Sequence, residues 1–255
     1  MAADGSGTTV STLAIDVGGS GVKAEVLAPD GTIVGEYQRV PVTYPCPPEQ
    51  MIGYVRELAG RLPPPGRAAI GFPGMVRAGR VLSAPHYVTT AGPGTAAEDR
   101  LVAAWAGFDL AGAVEAAIGV PVRVANDADV AGLSVIEGRG LELVITLGTG
   151  LGTAVFHDGQ LGPHLELAHH PFRHDKTYNE RVGDAARKRV GNERWTKRVV
   201  DAVRTLRALT FYDTLYVGGG NARKLTSAFT EEAVIVGNVN GILGGLKLWD
   251  QHRVV

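Results

Sequence analysis

Three times along the chain a β-rich apolar run stops in a knot of glycines: IDVGGSG at residues 15–21, LVITLGTGLG at 143–152 and TLYVGGG at 214–220. Glycine lets backbone amides approach an anion closely and reaches the positive φ that tight turns call for, so each knot reads as a phosphate-facing loop at a strand end. The candidates are Gly18, Gly19, Ser20 and Gly21, then Gly148, Thr149, Gly150 and Gly152, then Gly218, Gly219 and Gly220. Two familiar cradles fail. The dinucleotide spacing G-x-G-x-x-G would need a glycine where Thr153 stands, and the P-loop would need a glycine before Lys23 and Ser or Thr after it, where Val22 and Ala24 stand. A tight hairpin carrying a strand acid, Asp16, is the plain alternative for the first knot.

Between the knots, strand and helix alternate, which argues an α/β sheet. Strands are expected at Thr12–Val17, Val22–Leu27 and Ile33–Val42, with a turn at APDGT. Met51, Ile52, Val55, Leu58 and Leu62 fall at helical spacing over Glu49–Leu62, and Pro63 to Pro65 stop that helix. A buried strand AAIGF runs into Pro73 and Gly74, Ser83–Thr95 reads as loop, and a helix over LAGAVEAAIGV leads to the strand VRVAN. A helix over Ala128–Glu137, basic amphipathic helices over Arg181–Val190 and Arg194–Leu209, a helix after the third knot, a strand over Ala233–Val236 and a last helix from Gly241 complete the reading.

Composition narrows the class. Apolar residues at 45% and charged residues at 20% are those of a globular protein. No run approaches the roughly 18 apolar residues of a membrane span, and MAADGSGTTVST lacks the basic and apolar regions of a secretory signal. With Cys46 the sole cysteine, no internal disulfide forms and a cytoplasmic address is expected. Five of seven histidines fall between His157 and His174, yet without cysteines the pattern argues against structural zinc. A net charge of -1 points to neither nucleic acid nor membrane as partner. Locally the balance differs: Arg173–Arg207 holds eleven Lys or Arg against five Asp or Glu. A solvated helix face is the ordinary reading of such a run, and an extended positive surface for a long polyanion is the other.

The ordered stretches IDVGGSGVK, GFPG, ANDAD, TLGTGLGT, ELAHH and YVGGG resemble the ROK sugar kinases of the actin-like ATPase superfamily. The DVGGSGVK form looks most like the polyphosphate glucokinase branch, and the similarity spans Leu13 to about Gly245. The resemblance implies a two-lobed actin-like ATPase (ribonuclease H-like) fold with a cleft, an N-terminal lobe over 11–124 joined by a helix at about 243–255, and a C-terminal lobe over 125–242. It also implies a homodimer and transfer of a phosphoryl group from polyphosphate or ATP, with Mg²⁺, to the 6-hydroxyl of glucose or a related hexose.

Within that resemblance Asp127 matches the catalytic base, a role for which an ionised carboxylate beside an attacking hydroxyl is chemically suited. Helix N-cap is its plain alternative. Gly74, Asn126, Glu166 and His169 match sugar-facing positions, and Asp16, with Lys23 nearby, matches the residue that meets magnesium through water. Three departures bear on the sugar: Ala168 replaces a usual glycine, His86 stands where Asn is common, and Ala91–Ala104 looks inserted. The competing readings are a catalytically silent sugar-binding relative, an ATP-only kinase for a different hexose, and a sugar-responsive repressor. About a dozen residues before the first knot are too few for the helix-turn-helix of a repressor.

Overall fold

The computed structural model describes residues 10–173, 175–237 and 241–252. The opening segment expected to lack a secretory signal, and the end of the expected terminal helix at 253–255, lie outside them. Two compact units divide the described residues: 10–130 with 241–250, and 131–237 with 251–252.

The first unit begins with β1 (Thr12–Gly18) and β2 (Gly21–Leu27), paired antiparallel from Thr12 opposite Leu27 to Gly18 opposite Gly21. β3 (Ile33–Pro41) extends the sheet beyond β2. α1 (Pro48–Arg61) starts with Pro at its first position, buries Met51, Val55 and Leu58, and leads to β4 (Arg67–Phe72), which lies parallel to β1. A small antiparallel sheet follows, formed by β5 (Met75–Arg77), β6 (Arg80–Ser83) and, after α2 (Asp99–Trp105), β7 (Phe108–Asp109). α2 occupies much of the stretch read as an insertion, and buried Leu101 and Trp105 account for its order.

α3 (Leu110–Ile118) is capped by Asp109, which accepts from the Gly112 amide at 3.0 Å, and ends at Gly119 in the left-handed region. β8 (Val122–Asn126) pairs parallel with β4 and gives the order β3, β2, β1, β4, β8. α4 (Asp127–Leu133) is shorter than expected. Buried Glu142 draws the amides of Glu137, Gly138 and Arg139 at 2.8, 2.9 and 3.2 Å, so these groups are not left for another helical turn.

In the second unit β9 (Leu141–Leu147), β10 (Leu151–His157) and β11 (Gln160–Leu161) run antiparallel in succession, the last turn passing through Asp158 and Gly159 at positive φ. The expected basic helix over Arg181–Val190 is two, α5 (Tyr178–Val182) and α6 (Asp184–Val190), broken at Gly183. α7 (Asn192–Thr210) buries Trp195, Val199, Val203 and Leu206. β12 (Thr214–Gly218) and β13 (Val234–Ile235) close the sheet in the order β11, β10, β9, β12, β13. The helix expected after the third knot is a single 3-10 turn at Ala222–Lys224, because the Asn221 amide donates to the Leu147 carbonyl and its side chain to the Gly148 carbonyl.

Both five-stranded sheets have one topology: counted within each sheet, the strand order is third, second, first, fourth, fifth, with the first two pairings antiparallel and the rest parallel. The first and second glycine knots therefore sit at the same place, the hairpin between the first and second strands. α8 (Gly241–Lys247) packs on β1 and β4 at close range, its Gly245 so near that a Cβ there would meet that of Ala14 at 2.9 Å.

Candidate active site

In the first unit the register sets two carboxylates at one sheet edge. Asp16 on β1 pairs with Gly71 on β4, and Gly71 pairs with Ala125 on β8, so Asp16 and Asp127 emerge at the carboxyl ends of parallel strands. Two strand spacings separate β1 from β8, about 10 Å. That edge is where open α/β sheets bind ligands. Between them lies bare backbone: a Cβ on Gly71 would touch the Cα of Asp127 at 3.4 Å.

Asn126 is buried and rigid. Its Nδ2 donates to the Gly74 carbonyl at 3.0 Å and its Oδ1 accepts from the Ala128 amide at 2.7 Å. Asp127 Oδ1 also accepts from Ala128, at 2.9 Å, so the two residues share the capping of α4 that was the plain alternative for Asp127. Gly74 is fixed from both sides, since a Cβ there would lie 2.2 Å from the Ser83 carbonyl oxygen.

Asp16 Oδ2 accepts from Lys23 Nζ at 3.0 Å, both side chains remaining partly exposed. The first knot is held from behind through its carbonyls: Tyr87 donates to Gly18 at 3.0 Å, Tyr44 to Gly19 at 2.7 Å, and Arg39 to Ser20 at 3.0 Å. Burial pushes the Tyr44 phenol up to about 12 and drives that of Tyr87 upward too, so both stay protonated donors at neutral pH. His86 is half-buried with Nδ1 sealed from solvent and unpartnered, 3.4 Å from where a Cβ on Gly19 would stand, and burial lowers its pKa so the neutral ring is favoured. His86 thus faces the first knot. Tyr87→Phe should leave a carbonyl without its partner, lowering stability by about 1 kcal/mol. A thermal melt should fall by roughly 3 °C, and the KM for phosphoryl donor should rise severalfold.

In the second unit the other two knots touch. Asn221, next after the third, bonds the Gly148 carbonyl at 3.1 Å, and a Cβ on Gly219 would lie 2.6 Å from the Leu147 carbonyl oxygen. The expectation of positive φ in the knots is corrected here: among the described residues it holds only at Gly219, φ 86°. At Gly19, Gly21 and Gly150 close approach excludes a side chain instead. Gly19 would strike Pro93 Cγ at 2.8 Å and Gly150 the Asn179 Oδ1 at 2.5 Å, whereas Gly148 and Gly220 face open space. Asp184 anchors the second knot, its amide donating to the carbonyls of Gly148 and Thr149 at 3.1 and 3.2 Å. Its carboxylate is held at about 2 by hydrogen bonds from Lys188 and Arg187 and then Asn221.

Glu166 lies in the second unit too, 3.6 Å from His164 Nε2 and 4.0 Å from His169 Nε2, and the neighbouring His164 is the main cause lowering its pKa. The histidine buried here is His164; His169, at 65% exposure, is open to a ligand. Among the described residues no three His, Cys, Asp or Glu gather to hold a metal. Asp16 presents a single carboxylate, which suits Mg²⁺ reached through water with substrate phosphates completing its shell. Motif reading missed the anchors Tyr44, Tyr87, Arg39, Asn179 and Asp184, none of which lies in a recognisable pattern; Asn221, directly after the third knot, was the one in view.

The ROK family model matches residues 12–177. The polyphosphate glucokinase of Mycobacterium tuberculosis is 29% identical over 221 residues, covering 82% of this chain and 77% of the relative. The inorganic polyphosphate/ATP-glucomannokinase of Arthrobacter sp. strain KM superposes with a TM-score of 0.77 at 27% identity, covering 93% of this chain and 97% of that one. The ROK family glucokinase of Streptomyces griseus, solved with glucose and AMPPNP, gives a TM-score of 0.72 at 18% identity, with 93% and 98% covered. The fold is the actin-like ATPase fold of those kinases. Matched by the family model over more than half its length, the chain belongs to the ROK family.

Proposed function

We propose that the protein is a sugar kinase that moves a phosphoryl group from polyphosphate or ATP to the 6-hydroxyl of glucose or a related hexose. The observation that carries this is the register that sets Asp16 and Asp127 at one sheet edge beside the glycine hairpin of β1 and β2. Asp127 accepts the proton of the attacking hydroxyl, within hydrogen-bond reach of its carboxylate. Asn126, Gly74, Glu166 and His169 orient the sugar, supplying the mix of donors and acceptors that a polyol needs. Gly18 to Gly21, Gly148 to Gly152 and Gly218 to Gly220 are the loops suited to meet donor phosphates, with Lys23 adding charge. Mg²⁺, when bound, neutralises donor charge, and Asp16 would hold it through water. His86, facing the first knot, belongs in this reading to the junction of sugar and donor.

The homodimer and the cytoplasmic address rest on the resemblance to ROK sugar kinases and on composition. Among the described residues no helix is long and apolar enough to cross a membrane. Purified protein with Mg²⁺, a panel of hexoses and either ATP or polyphosphate provides the test. Glucose or a close hexose should be phosphorylated at C6. Sugar binding without turnover on any donor would favour the silent relative instead.

A further inference from the structure

We infer that Arg181, Arg189, Arg194 and Arg198 form an extension of the donor site that holds the distal phosphates of a linear inorganic polyphosphate. The inference rests on the kinase reading and names the donor that this chain is built to use. Of the eleven Lys or Arg between Arg173 and Arg207, six are in ion pairs with carboxylates, such as Arg187 and Lys188 with Asp184 at 2.8 Å and Arg204 with Glu231 at 2.9 Å. Arg207 lies over the Tyr212 ring. The other four have no carboxylate within ion-pair distance among the described residues, and of these Arg181 also lies over the Phe172 ring, 5.8 Å from its centre.

These four are neighbours. Burial and then the charges of Arg181, Arg189 and Arg194 depress the pKa of Arg198, whose guanidinium donates to the Arg181 carbonyl at 3.4 Å. Arg181 Nε is buried and without a partner. Four like charges held together without an ion-pair partner among the described residues repel one another in the free protein, and an anion laid across them relieves that repulsion. Guanidinium groups suit phosphate because two N–H bonds can reach two oxygens at once.

The cluster is joined to the second glycine knot. Gly183, between Arg181 and α6, packs so tightly on that knot that a Cβ would lie 2.4 Å from the Thr149 carbonyl oxygen, and Asp184 bonds the knot through its amide. From there α6 rises to Arg189 over five residues, roughly 8 Å. A phosphate chain whose end is held at Gly148 to Gly150 reaches the arginines after a few links. ATP, which ends in a nucleoside after three phosphates, has no charge left to place there. The ion pairs of the flanking basic residues restrict the site to these four rather than to the whole basic run.

The full-length protein carrying Arg189→Glu and Arg194→Glu, both at exposed positions, tests this by donor kinetics. The KM for long-chain polyphosphate should rise tenfold or more with kcat unchanged, while the KM for ATP and for tripolyphosphate should stay within twofold. Wild type should show a KM that falls as the chain lengthens, and the variant should lose that dependence. Lys at both positions should restore most of it. An unchanged KM for long chains, or an equal rise for ATP, overturns the inference.

Direct titration with long-chain polyphosphate separates failure of the inference from failure of the kinase reading, since it needs no turnover. Binding lost in the Glu variant supports the site even in a protein that phosphorylates nothing. Binding unaffected by charge reversal contradicts it, and so does an equal loss of affinity for single-stranded RNA and for polyphosphate, the mark of a general polyanion surface.

Discussion

Asp127→Asn should lower kcat for hexose phosphorylation by about a thousandfold while leaving the KM for sugar within a few fold, since a positioned general base is worth roughly 10² to 10⁴ in rate. The amide keeps the carbonyl-type oxygen that accepts from the Ala128 amide at 2.9 Å, so α4 retains its cap and the thermal melt should move little. What it loses is the capacity to take a proton. Steady-state kinetics beside a melting curve decides the matter: turnover intact would remove Asp127 as base, and collapse of both activity and fold would return it to the role of helix cap.

Gly244→Ala should be the most damaging single methyl group in the first unit. A Cβ at that position would lie 1.6 Å from the Val130 carbonyl oxygen, and backbone cannot swing aside as a side chain end can. Either α8 lifts from β1 and β4 or α4 shifts, and α4 begins at Asp127. Overpacking of this kind costs about 3 kcal/mol. For a chain of this size the melt should drop by roughly 10 °C. Turnover should fall with it, because Asp16 and Asp127 both stand on elements that α8 presses. Gly53→Ala, at a helical glycine with nothing within 4 Å of the added carbon, is the matched control and should be neutral or slightly stabilising. A melt unchanged in Gly244→Ala would show that α8 does not fix the carboxylate edge.

Much of this arrangement is legible in the sequence because it depends on local signals. Alternation and glycine punctuation place β1, β2, β9, β10 and β12, and the proline at the head of α1 marks its start. The elements that escape reading are decided by distant partners. α4 stops where Glu142, from the next strand, takes the amides of residues 137 to 139. Gly183 breaks a helix because it must fit against Thr149, and nothing in its neighbours announces this. The three-stranded sheet adds β7 to the β5–β6 hairpin from more than twenty residues further along the chain, and α2 hides in a stretch rich in Gly, Ala and Pro.

The candidate site divides the same way. Asp16, Asn126 and Asp127 stand out because motifs surround them, whereas Tyr87 and Tyr44 are known only from the hydrogen bonds they send to Gly18 and Gly19. The sequence also suggested a special backbone conformation for the knots. In the structure Gly19, Gly21, Gly150 and Gly219 answer mainly to crowding by neighbouring groups.

A crystal of the protein soaked with glucose measures the central claim most directly. The account predicts the C6 hydroxyl about 2.6 to 3.2 Å from a carboxylate oxygen of Asp127, the reach of a general base. Glucose bound with another hydroxyl at Asp127, or bound away from the sheet edge shared by Asp16 and Asp127, would contradict it.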